Sequence, residues 1–265
     1  MAFKPYQEWL QKEWSLSLPL MGAQEDLTHD PQRKSIPPSH QIGLEEQTKI
    51  GEIQADHSTV SFIEAMRRNR ELFSGKSSWE IGCGTGLVAV EAGHLGASRI
   101  CASDIDEEAI QLVKKNAETH SLKIETSVSD LFSGIPWKGP FDNLLSILPQ
   151  KPCRAGGLPL ANDGGPDGTK LLLPVIEQAM NWLSPFGNLF LFLHSLAHPR
   201  ALLQLHDQYE VDVLSVKNRI FSIEEYPKIS PEWAHRRVEK TSYFEPCSEG
   251  RFQFICLIVR ARPKC

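Results

Sequence analysis

Three short stretches of the sequence carry residue types and spacings that could do chemistry. The first is Trp79-Glu80-Ile81-Gly82-Cys83-Gly84-Thr85-Gly86-Leu87, a G-x-G-x-G run between a short apolar stretch and a helical one. Glycines at such a turn permit left-handed backbone and let a ligand approach bare main chain. The spacing is not the G-x-G-x-x-G of a dinucleotide fold, and the Lys-Ser/Thr pair of a phosphate-cradling loop is missing. The second is Ser103-Asp104-Ile105-Asp106, with Asp104 placed 18 residues after Gly86. A carboxylate at a strand tip there is positioned to accept both hydroxyls of a ribose. The third is Ser129-Asp130-Leu131-Phe132, where Asp130 could meet the exocyclic amine of an adenine and Leu131 or Phe132 its face.

The elements that must position these residues follow from hydrophobic periodicity. Strands are expected over 79–82, 99–103, 123–128, 142–148, 188–193, 210–216 and 253–259. Helices are expected over 87–95, 107–120, 169–183 and 199–209. The alternation predicts an α/β, Rossmann-like fold, a mainly parallel sheet with helices on both faces. The first 75 residues read as an N-terminal extension, a cofactor lid or substrate-recognition segment, and 76–265 as the main domain. Within the extension, Trp9, Leu10, Trp14, Leu16 and Leu18 are partly at helical spacing, and His29 to His40 is polar and proline-bearing. A further helix opens near Asp56 and places Val60, Ile63 and Met66 on one face. Two stretches break the alternation: the Gly/Pro-rich 149–168, and 217–251, a substrate-side insertion. Long loops at strand ends are where α/β proteins build substrate sites.

Composition excludes several classes. The 265 residues carry 28 Lys and Arg against 33 Asp and Glu, a formal charge of −5. No positive field would draw the whole protein to nucleic acid or an anionic membrane. Apolar runs such as 189–193 and 254–259 fall far short of the roughly 20 residues of a membrane-spanning helix. Glu8, Lys12 and Glu13 stand where a signal peptide needs apolar residues. The six cysteines form no C-x-x-C pair, so no metal is expected and the thiols read as reduced. The expected location is cytoplasmic.

Taken in order and spacing, the E-x-G-x-G-x-G signature, the acidic residue closing the second strand and Ser-Asp-Leu-Phe after the third resemble class I S-adenosylmethionine-dependent methyltransferases. The resemblance covers roughly residues 56 to 193. It implies a seven-stranded sheet whose last strand, 253–259, is antiparallel, and S-adenosyl-L-methionine as cofactor. It further implies that Glu80 and Gly82 border the methionine moiety and that Gly84, Thr85 and Gly86 allow its close approach. Asp104 and Ile105 would hold the ribose side, and Asp130 and Leu131 the adenine. His57, in Asp56-His57-Ser58-Thr59, falls where related enzymes place a segment over the cofactor; a capping or surface histidine is the alternative.

In that family the loop after the fourth strand faces the reactive methyl. Here it reads Leu148-Pro149-Gln150-Lys151, without the Asn/Asp-Pro-Pro-Tyr of enzymes that methylate glutamine amides or adenine. The downstream Asp163-Gly164-Gly165-Pro166-Asp167-Gly168 is similar to the HemK-type glutamine methyltransferases. Leu95-Gly96-Ala97-Ser98 with Asp104-Ile105-Asp106 is similar to ribosomal-protein methyltransferases, and Leu-Pro-Gln looks like a segment of methionine S-methyltransferases. Pro149, Gln150 and His194 are the catalytic candidates, with His194 or Asp163 as a base where the acceptor needs one. Arg219, Tyr226, Trp233, His235, Arg236, Arg237 and Tyr243 would supply charge and aromatic surface. Residues 216–265 hold ten Lys and Arg against six Glu, a net +4 suited to a carboxylate or to RNA phosphates. The expected acceptor is a small molecule, amino-acid-like, with the methionine thioether as one candidate. A protein (glutamine or lysine) or RNA N-methyltransferase is the alternative, and a non-catalytic cofactor sensor a third reading.

Overall fold

The computed structural model describes residues 3–20, 25–26, 49–50, 53–54, 56–153, 158–222, 235–248 and 250–264. Helix α1 spans Phe3–Trp14, α2 His57–Arg68, α3 Leu87–His94, α4 Glu107–Thr119, α5 Leu172–Ala179 and α6 Arg200–Gln208. The strands are β1 Glu25–Asp26, β2 Lys49–Ile50, β3 Ile53–Gln54, β4 Ser77–Ile81, β5 Arg99–Asp104, β6 Glu125–Val128, β7 Phe141–Ser146, β8 Leu183–His194, β9 Tyr209–Ser222, β10 Glu245–Ser248 and β11 Arg251–Pro263. The main sheet runs β1-β9-β11-β8-β7-β4-β5-β6, with β10 paired to β11. β4, β5, β6, β7 and β8 are parallel. β11 is antiparallel to both β8 and β9. The sheet thus has nine strands: the seven that the resemblance implies, with 253–259 antiparallel as expected, plus the short β1 at one edge and β10 beside β11.

The central strands are buried on both faces, as their near-continuous apolar sequences require. α2 and α3 pack on one face, with Phe62, Ile63 and Met66 against Leu87, Val88 and Phe190. α5 and α6 cover the other, with Val175, Ile176 and Leu205 against Leu144, Leu189 and Val213. Asp56 caps α2 by accepting from the Ser58 and Thr59 amides at 2.8 and 3.3 Å, so that helix begins where the sequence places it. Arg67 ties α2 to α3 through a two-pronged contact with the buried Glu91, both bonds at 2.8 Å.

Two boundaries differ from the sequence expectation. The helix read over 169–183 is only Leu172–Ala179, and Leu183 already pairs with Phe141 as the start of β8. The Trp182 carbonyl accepts from the Phe141 amide at 2.7 Å, so tertiary pairing overrides local helical spacing. β9 and β11 are also longer than expected and run on past the end of β8. The N-terminal residues join the core rather than standing apart from it. Phe3, Tyr6, Leu10, Leu16 and Leu18 are buried in the cluster that contains Leu191 and Val213. Leu20 bridges Val213, and β1 adds to β9 in parallel. The proline-bearing segment 29–40 lies outside the described residues.

Candidate active site

The sheet order reverses between β4 and β7, and a ligand crevice opens at the carboxyl ends of the strands at such a point. The two tips are tied there by the Ser146 hydroxyl, which donates to the Ile81 carbonyl at 2.8 Å. The glycine loop leaves β4 at this point. Its Gly82 and Cys83 amides both donate to the Ser103 carbonyl, at 2.9 and 3.0 Å, which hangs the loop from β5. Gly86 has a φ of +72°, and a Cβ there would stand 2.6 Å from Val113. Glycine is therefore required both by the left-handed backbone and by the approach of α4. Asn116, buried on α4, braces the loop by donating to the Thr85 carbonyl at 3.0 Å, a contact that no local pattern around either residue signals.

Asp104 lies opposite the loop at the end of β5. One carboxylate oxygen accepts from the Gly84 amide at 2.8 Å and the other from the Asp106 amide at 3.0 Å. Burial raises its pKa, opposed by those two amides. Glu80 is more deeply enclosed, accepts from the Ala89 amide at 2.8 Å, and burial pushes its carboxyl well above the usual range. Burial likewise raises the Cys83 thiol, with the Glu80 and Asp104 charges adding to it. Both carboxyls therefore lean toward the neutral form, and a cationic group such as a sulfonium, unlike a pyrophosphate, would draw them back to carboxylates. Ile105 presents an apolar surface beside Asp104, 58% exposed. After β6, the Ser133 amide closes a turn on the Asp130 carbonyl at 2.9 Å, with Leu131 left-handed at φ 50°. Phe132 points elsewhere. It is 7% exposed and packs edge-on against Trp79 at 5.4 Å, so only Leu131 of that pair remains for an adenine face.

Residues 55–146 match the family model of ribosomal protein L11 methyltransferase (PrmA). The ribosomal protein L11 methyltransferase of Thermotoga neapolitana is 30% identical over 137 residues, 52% of this chain and 50% of that one. A Methanocaldococcus jannaschii protein provisionally named protein N5-glutamine methyltransferase is 35% identical over 117 residues, 42% and 58% of the two chains. The crystal structure of a ribosomal protein L11 methylase from Lactobacillus delbrueckii subsp. bulgaricus superposes with a TM-score of 0.51 at 16% identity, covering 79% and 81%. The chain has the fold of the class I S-adenosylmethionine-dependent methyltransferases. It spans about half the length of the curated L11 methyltransferases it matches.

On the acceptor side of this methyltransferase core, the structure reassigns two of the catalytic candidates. Gln150 is 2% exposed. Its amide nitrogen donates to the Phe192 and Leu148 carbonyls at 2.6 and 3.2 Å, and its oxygen accepts from the His194 amide at 3.2 Å. Both ends of the amide are spent on joining the loop after β7 to the end of β8, so Gln150 positions the loop and does not reach an acceptor. His194 packs edge-on against Phe254 at 5.7 Å. Burial, with a smaller contribution from the Lys151 charge, lowers its pKa to about 3. A neutral imidazole that weak is a poor base near pH 7. Asp163 is no better, because the Cys153 thiol and the Gly165 amide, at 3.0 and 2.8 Å, hold it as a carboxylate of lowered pKa. Pro149 stays partly exposed between Leu148 and Gln150.

The second glycine segment explains itself at the same place. A Cβ on Gly164 would lie 2.6 Å from the Gln150 backbone, and one on Gly168 would lie 2.3 Å from the Gln150 carbonyl oxygen. The segment therefore seats directly over the Leu-Pro-Gln loop. His57 is the first residue of α2 and is half-buried. Tyr243 is not surface. It is 8% exposed, enclosed by Tyr6 and Trp9 at ring distances of 5.1 and 5.3 Å. Tyr226 and Trp233 lie outside the described residues. Among the described residues no cluster of three metal-ligating side chains occurs, and no helix is long and apolar enough to cross a membrane.

Proposed function

We propose that this chain transfers a methyl group from S-adenosylmethionine to a nitrogen on a protein substrate. Methyl transfer is carried by one observation: Asp104, locked to the Gly84 amide at the switch point of a class I sheet. The donor set fits the cofactor. Asp104 would take the ribose hydroxyls, Ile105 and Leu131 the adenine faces, Asp130 the adenine amine, and Glu80, Gly82, Gly84, Thr85 and Gly86 the methionine end. His57 would close over it from the start of α2. The cofactor supplies an electrophilic methyl; the chain supplies binding, orientation and exclusion of water. The acceptor class rests on the relatives, which are named for protein substrates and so favour the macromolecular alternative over a small acceptor. Ribosomal protein L11 is the first substrate to try.

With His194 and Asp163 held as weak bases, the acceptor nitrogen loses its proton to solvent rather than to either of them. The crevice then contributes by alignment. Incubation with methyl-tritiated S-adenosylmethionine, cell extract and purified L11 tests the reading. Label should enter material sensitive to protease and resistant to ribonuclease. Label confined to soluble metabolites would restore the small-molecule acceptor, and ribonuclease-sensitive label would indicate RNA.

A further inference from the structure

The parallel strands begin side by side at the end of the sheet opposite the crevice, in the order β8, β7, β4, β5, β6. Neighbouring strands stand about 4.8 Å apart, so the residues that open them form a row. Lys76 comes directly before β4, and Ser77 is level with Arg99, the first residue of β5. Lys123 comes just before β6, whose Glu125 is level with Cys101. Lys138 precedes β7, and its carbonyl accepts from Arg99 Nη1 at 3.1 Å. All three lysines are exposed. The carboxylates of these strand ends have donors of their own. Glu125 takes both prongs of Arg99, at 2.8 and 3.1 Å. Asp142 accepts from the Ser77 amide and hydroxyl, both at 2.9 Å. The row is therefore positive on a chain whose formal charge is −5.

β8 adds an aromatic ring to this row. Phe141 pairs with Leu183 and Asn143 with Asn188, so the β8 residues 184–187 bulge out opposite Asp142 alone. The bulge is held at both ends. The Ser184 hydroxyl reaches Asp142 at 3.4 Å, and a Cβ on Gly187 would lie 3.0 Å from the Phe141 carbonyl oxygen. Between these anchors Phe186 is 92% exposed. A bulge at a sheet end is a means of re-aiming a side chain, and this one aims a phenyl ring at solvent.

We infer that this end of the sheet binds single-stranded RNA, with Phe186 stacking a base and Lys76, Lys123 and Lys138 meeting phosphates. A basic track beside an aromatic platform holds unpaired strands without reading their sequence. An anionic membrane would need a broader apolar face than one ring. The surface lies at the opposite end of the strands from Asp104, so RNA held there leaves the crevice open whatever the methyl acceptor is.

The full chain is titrated into a fluorescein-labelled oligouridine of about twelve nucleotides, within the span of such sites, and anisotropy is read. Binding should saturate, and affinity should fall about twentyfold between about 50 and 200 mM salt, the effect of three phosphate contacts. Phe186→Ser should weaken binding about tenfold, the loss of one stacked base, and Phe186→Trp should keep it. Lys76→Gln and Lys138→Gln should each weaken binding and flatten the salt dependence by about one contact. Lys170→Gln, beside Gly164 at the crevice end, should bind as the wild type does. Each variant should melt close to the wild type, because the altered side chains are exposed. Absence of saturable binding at low salt, or binding indifferent to Phe186→Ser and to both lysine variants, would overturn the inference. So would a preference for phosphatidylserine vesicles over RNA that the same variants abolish.

Discussion

Asp104 accepts one amide at each carboxylate oxygen and still faces the crevice. It therefore shapes the loop and, on the proposed reading, would serve the ligand with the same group. Asp104→Ala removes the proposed ribose acceptor and frees the Gly84 amide together. S-adenosylmethionine affinity should fall at least tenfold by calorimetry, since a hydrogen bond to a charged group contributes about 1.5–3 kcal/mol. His194 makes a different prediction. Its pKa is lowered from 6.5 to about 3 by burial, so the folded state resists the proton that the unfolded chain accepts. The stabilisation is complete above pH 6.5 and is lost as pH falls from there toward 3. Urea midpoints compared at pH 7.5 and pH 5 should drop less in His194→Asn than in the wild type.

The strap between β7 and β8 is an element-scale device, because one side chain joins the carboxyl ends of two neighbouring strands. Gln150→Glu keeps the shape but turns a donor toward the Phe192 and Leu148 carbonyls into an acceptor. A carboxylate there is raised in pKa by burial and by those oxygens, so the folded state favours its protonated form. The variant should lie close to the wild type at pH 4 and lose stability as pH rises to 8, by about 1 kcal/mol or more, read from urea unfolding against the wild type at each pH. Which of these elements the sequence made legible divides along physical lines. Period-2 and period-3.6 patterns located the core strands β4 to β9 and β11, and the Asp56 cap of α2, because burial on one face or both is written locally. The glycine loop was legible for the same reason, since left-handed turns need glycine. Gln150 read as a catalytic group and Tyr243 as a surface one. Their partners lie 42 and more than 200 residues away, and no local pattern encodes a contact at that separation. The end of α5 was misplaced because Trp182 and Leu183 obey strand pairing with β7.

At the scale of the molecule, the N-terminal residues behave as part of the sheet's cover. α1 buries Tyr6 and Leu10, the Trp14 indole donates to the Lys240 carbonyl at 3.2 Å, and Lys240 pairs with Glu13 at 2.5 Å. A chain lacking residues 1–20 should melt several degrees lower, since burial of a single large apolar side chain is worth about 1.5–3 kcal/mol. Differential scanning calorimetry reads this, and an unchanged melting temperature would mean that α1 is only loosely attached. The same region has another consequence. β9 and β11 are paired from Tyr209 and Pro263 to Ser222 and Arg251, so the pair runs on beyond the end of β8. The glycine loop and Asp104 leave β4 and β5, on the other side of β8 and β7 in the sheet order. Substitutions at the overhanging ends of β9 and β11 can therefore reshape that rim without moving the strand tips that carry Gly84 and Asp104.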